Sequence, residues 1–154
     1  LSNHKIPNEA ITKIINFGKE MLEKPIELLD GVEEVLKYLS KDYKLILATK
    51  GDLLDQERKL KKSGLMKYFE HIEVLSDKKT SNYKRLIDFL DIDSSEFLMV
   101  GNSLKSDVLP LIEVGAQAIH VPFHTTWEHE KAEVDSSKES FKTLESLTGI
   151  LALL

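Results

Sequence analysis

FLMVGNSLKSDVLPLIEVGAQAIHV, residues 97–121, decides the fold. Phe97 to Val100 is a short, nearly unbroken apolar run, the pattern of a strand buried on both faces of a parallel sheet. Gly101-Asn102-Ser103 turns the chain, and a helix is predicted from about Lys105 to Val114. Gly115 ends that helix, and Gln117 to Val121 forms the next strand. Upstream the same grammar repeats. Lys44 to Ala48 is a strand ending in Thr49-Lys50-Gly51, and a charged helix follows from Asp52 to Lys62, closed by Ser63-Gly64. His71 to Leu75 is a strand and Asn82 to Leu90 a helix. Downstream, a weak fifth strand is predicted near Phe141 and a last helix from Leu144 to Leu154. Strands alternating with helices at this spacing specify an α/β domain with a mainly parallel sheet.

The first residues read differently. Ile11, Ile14, Ile15, Met21 and Leu22 form a helical stripe between Pro7 and Lys24, with Asn8 as the expected cap. Pro25 breaks that helix, and Asp30-Gly31 opens another over Val32 to Leu39.

Composition narrows the partners. The 154 residues, 42% of them hydrophobic, suffice for one core, and the net charge of −5 is spread along the chain. Nucleic acid and anionic membranes are therefore not expected partners. The absence of cysteine removes disulfides and thiolate metal sites and fits a reducing, cytoplasmic setting. No apolar run reaches the roughly 18 residues of a membrane span. Leu1 to Asn8 lacks the pattern of a secretory signal, and without an initiating Met the chain is expected to begin inside a longer gene product.

Ligands of open α/β sheets bind beyond the carboxyl ends of the strands. Three such ends stand out here: Thr49-Lys50-Gly51, Asp77-Lys78-Lys79, and Gly101-Asn102-Ser103 followed by Ser106-Asp107. Hydroxyl and backbone N–H groups hold anionic oxygens, a lysine neutralises charge, and carboxyl or amide oxygens bind Mg²⁺. Each segment alone has a plainer reading. Thr49 suits a turn, the lysines a solvated helix start, and Asp107 a helix cap. Their order, each at the end of a successive strand, favours a phosphate and cation site. The loop from Pro122 to Ser140 carries His124, Trp127, His129 and the carboxylates Glu128 and Glu130, without the i, i+4 histidine spacing of a zinc helix. It reads as a surface loop pinned by Phe123 and Trp127.

This order of segments resembles the haloacid dehalogenase superfamily of hydrolases. Ile46 to Gly51 is similar to its second motif, an apolar strand ending in Thr or Ser. Leu54 to Phe69 is similar to the segment that follows it in members with a helical cap. Ser76-Asp77-Lys78 holds the place of the third motif's lysine, with Lys79 an alternative. Residues 99–107 resemble the fourth motif, GDSxxxD, with its continuation through Gly115-Ala116 to Pro122. The resemblance implies a Rossmann-like three-layer α/β/α core over residues 26–154 and the last part of a helical cap over 1–25. It implies that Thr49 binds a transferring phosphoryl group with Lys50, Gly51 and Ser103, that Lys78 acts with Thr49 in catalysis, and that Asn102 and Asp107 hold Mg²⁺. The substrate implied is a small phosphate monoester.

Two departures modify that expectation. The family's nucleophile lies in a D-x-D motif after the first core strand, which precedes the cap. The only D-x-D here, Asp91-Ile92-Asp93, follows a helix and precedes its strand. The chain alone is thus expected to be inactive and to lack the central strand between the Thr49 and Asn102 strands. Upstream sequence of the same gene product, or another copy, is expected to supply that strand, because unpaired buried strand edges are costly. Asn102 stands where a phosphatase usually has Asp, and its amide brings no negative charge to a cation. A 2-haloacid dehalogenase or a catalytically degenerate binding protein are the alternatives.

Overall fold

The computed structural model describes residues 7–123 and 141–154. Two helices, α1 (Asn8–Glu23) and α2 (Val32–Leu39), precede β1 (Ile46–Lys50). Then come α3 (Leu53–Ser63), β2 (His71–Leu75), α4 (Thr80–Leu90), β3 (Leu98–Gly101), α5 (Leu109–Glu113), β4 (Gln117–His120) and β5 (Lys142–Thr143). All pairing is parallel. β1 lies beside β2 with Ile46 opposite His71, β3 beside β4 with Leu98 opposite Gln117, and β4 beside the short β5. The strands form two ladders, β1-β2 and β3-β4-β5, and among the described residues no strand stands between β1 and β3. Every residue of β1 is only half-buried, as expected of a strand with one open edge.

Alternation along β3 builds a layer on each face of the sheet. Met99 joins Leu75, Tyr83, Leu86, Ile87, Val108 and Leu111 in the larger core, under α4 and α5. Val100 points the other way, to Val35 and Leu39 of α2 and Ile150 of the C-terminal turn. The sequence thereby yields three layers, with helices on both faces of the strands.

Proline reshapes the segment that the sequence suggests is one helix from Lys105 to Val114. Pro110 has no N–H to give the carbonyl four residues back, and its ring crowds that carbonyl. Residues 104–108 accordingly form a π turn, closed by the Leu109 N–H on Leu104 O, before α5 begins. The freed carbonyl is that of Ser106, and the hydroxyl of the fully buried Tyr83 donates to it at 2.9 Å. Tyr83→Phe leaves this carbonyl without its phenolic donor. The expected loss is about 1–3 kcal/mol, read as a lower urea midpoint with an unchanged slope.

Two local expectations are corrected. Pro7 rather than Asn8 precedes the first turn of α1, Asn8 is already helical, and no side chain caps that end. The last helix is shorter than predicted: Leu147–Ala152 is a 3₁₀ turn. Gly149 lowers helix propensity there, and Leu144 is still tied to the sheet through its N–H on His120 O. Asp91 and Asp93 have structural roles. Asp91 ends α4 in the left-handed conformation, and Asp93 caps the turn at Ser94–Glu96. No helix among the described residues is long and apolar enough to cross a membrane.

Candidate active site

The parallel register brings the carboxyl ends of the strands to one side, and the turns after β1, β2 and β3 meet there. Gly51 (φ 130°) redirects the chain after β1, and Asp52 caps α3 by accepting the Asp55 N–H. Gln56, in the first turn of α3, is thereby carried back over the strand end, where its Oε1 accepts the Thr49 hydroxyl at 3.2 Å. Lys50, expected to bind the phosphoryl group, extends its ammonium to Ser106 Oγ at 3.3 Å.

After β2, Asp77 accepts the Lys78 N–H at 2.9 Å and pairs with the Lys79 ammonium at 2.8 Å. Lys79 first, then that N–H, holds the Asp77 carboxyl below its ordinary pKa. The two candidate lysines therefore separate. Lys79 is largely exposed, whereas the side chain of Lys78 is 13% exposed and its ammonium donates to Asp107 Oδ1 at 2.6 Å. The Asp107 side chain is 5% exposed, and its other oxygen accepts the Ser103 N–H at 3.0 Å. Gly101 makes room for it: a Cβ at position 101 would lie 2.3 Å from Asp107 Cβ.

After β3, Ser103 is buried, and its hydroxyl oxygen accepts the Ser106 N–H at 3.0 Å, fixing the start of the π turn. Asn102 is exposed at the mouth of the site. His120 at the end of β4 holds its backbone, with Nε2–H donating to Asn102 O at 3.2 Å. Lys78, Ser103 and Asp107 are thus joined directly, and Lys50 joins them through Ser106. Thr49 and Gly51 lie at the adjoining strand end and bond elsewhere. Gln56 and Tyr83 were not singled out from the sequence, and Ser106 was named with its segment but assigned no role. Only Pro110, which frees a carbonyl, hinted at Tyr83. No group of three His, Asp or Glu side chains among the described residues is arranged to hold a metal. His124, Trp127, Glu128, His129 and Glu130 lie outside the described residues.

The chain can be set beside known proteins. The model of a family of hydrolases, the haloacid dehalogenase-like hydrolases, matches residues 3–115. N-acylneuraminate-9-phosphatase of Mus musculus is 27% identical over 112 residues, which make up 70% of this chain and 43% of that protein. Among solved structures, a haloacid dehalogenase-like family hydrolase from Xanthomonas campestris is 33% identical with a TM-score of 0.85, covering 97% of this chain and 63% of that one. The magnesium-bound YfnB of Bacillus subtilis shares the fold at 19% identity and a TM-score of 0.71, over 83% of this chain and 56% of that one. The chain thus spans less than half of the curated relative and under two thirds of either structure.

Proposed function

The chain belongs to the haloacid dehalogenase-like hydrolases, and from that premise we propose that it forms most of the core of a phosphohydrolase acting on a small phosphate monoester. The observation that carries the reading is the buried pair of Lys78 and Asp107, set where three strand ends converge. Desolvated charges are retained only where other groups answer them. A lysine beyond the carboxyl ends of the strands is suited to balancing the charge of a phosphoryl dianion. In this proposal the Thr49 hydroxyl and the backbone at Lys50-Gly51 hold phosphoryl oxygens, and Ser103 supports the same wall. The substrate class is the one acted on by the mouse relative, whose name specifies a phosphatase.

In this proposal the carboxylate nucleophile comes from outside the described residues. Among the described residues, the aspartates nearest the carboxyl ends of strands are Asp52, Asp77 and Asp107. One caps α3, and the other two are paired with lysines. We therefore place the nucleophile on a further strand that enters between β1 and β3 and joins the two ladders, supplied by another segment of the gene product or another copy. Residues 1–25 would belong to a cap over this opening and 26–154 to the core. The chain alone would be inactive.

Asn102 and Asp107 would hold Mg²⁺. Mg²⁺ keeps several waters and binds through one or two carboxylates with substrate oxygens, and here it would share the Asp107 oxygens with the Lys78 ammonium and the Ser103 N–H. When bound, the ion would neutralise phosphoryl charge. Asn102 contributes no charge, and this favours a second reading, a 2-haloacid dehalogenase. The complete gene product is expected to hydrolyse an aryl phosphate and to lose that turnover with a chelator. Chelator-insensitive halide release from a 2-haloacid, without phosphatase turnover, would reverse the choice. Neither reaction would leave a binding protein.

A further inference from the structure

We propose that Gln56 is a positioning residue for the Thr49 hydroxyl, its amide reversing when a phosphate dianion binds. The inference rests on the phosphohydrolase reading and extends it to a side chain outside the strand ends. A threonine hydroxyl has one proton, and a phosphoryl oxygen of a dianion can only accept. The structure directs that proton to acceptors of the protein itself, Gln56 Oε1 at 3.2 Å and the Lys50 carbonyl at 3.4 Å. A glutamine amide carries a donor and an acceptor at the two ends of one plane. Rotated by half a turn, it offers Nε2–H to the Thr49 oxygen and releases the proton to the phosphate.

The local backbone is built for such an amide. Gln56 N–H is held by Asp52 O at 3.0 Å, which fixes the side chain's root in the first turn of α3. Its Nε2 lies 3.1 Å from the point a Cβ would occupy on Gly51, so glycine there leaves the amide room to lie across the turn. A side chain larger than glycine would also be strained at a φ of 130°. Gly51 therefore serves both the turn and the amide.

The test is a double-mutant cycle on the complete gene product, with inorganic phosphate as the ligand and its dissociation constant as the readout. Gln56→Glu keeps only acceptors and so holds the hydroxyl proton. Phosphate affinity is expected to fall about tenfold, as for loss of one hydrogen bond to a charged group. Gln56→Met removes both roles and is expected to weaken binding less than Gln56→Glu. In the Thr49→Val background, Gln56→Glu should change affinity less than twofold, because its target is gone (~0.4 kcal/mol or less). An equal loss in both backgrounds would make the effect simple charge repulsion and overturn the inference. So would an unchanged affinity on Gln56→Glu in a protein whose Thr49→Val variant binds phosphate weakly. If the parent protein binds no phosphate, the phosphohydrolase reading falls, and this inference with it.

Discussion

Replacing Lys78 with Met is expected to lower stability by about 3–5 kcal/mol, the cost of leaving one member of a buried ion pair alone. Among the described residues Asp107 would keep the Ser103 N–H as its hydrogen-bond donor, in surroundings where its side chain is 5% exposed. The surrounding π turn would suffer too, because it is anchored at both Ser103 and Ser106. A second substitution separates charge from packing. Asp107→Asn in the Lys78→Met background removes the orphaned carboxylate, so the double variant should recover a large part of the loss while any turnover stays absent. Urea unfolding of the four proteins measures the coupling. Additive losses would mean that the 2.6 Å contact contributes nothing to the fold.

Gly101→Ala has the second large effect, and the mechanism is steric. The added Cβ would meet Asp107 Cβ at 2.3 Å and its carboxyl carbon at 2.4 Å. The nearest obstacle is the root of a short side chain in a buried turn, so no flexible tip can swing aside. Overpacking of this kind costs roughly 1–3 kcal/mol and occasionally more, and the upper end is expected here. Relief would have to push Asp107 away from Lys78. Because the clash begins at Cβ, Gly101→Ala should remain destabilising when Asp107 is also alanine. A measured rescue by Asp107→Ala would show that the carboxylate and not Cβ is the obstacle.

The strands and their order were legible in the sequence because buried parallel strands leave apolar runs bounded by turn residues. His71 to Leu75 was read to the residue, and Leu98–Gly101 was displaced by one position. The Lys78–Asp107 contact was approached but not resolved. Order along the chain places a lysine near Asp107, yet adjacent lysines point in different directions, and only tertiary packing selects Lys78. The Gln56 contact depends on how one turn folds back over a strand end, which no periodicity encodes. The π turn was legible only in part. Pro110 signals an interrupted helix, but where its orphaned carbonyl goes depends on Tyr83, a distant residue in sequence. The end of the chain misled because Leu147, Ile150 and Leu151 are spaced as on an amphipathic helix, while Gly149 weakens helix formation.

A structure of the complete gene product tests the account most directly. It is predicted to contain a strand between β1 and β3, hydrogen-bonded to both, with an aspartate carboxylate at its carboxyl end within reach of the Lys78 ammonium. Direct pairing of β1 with β3, or a joining strand with no carboxylate near Lys78, would contradict it.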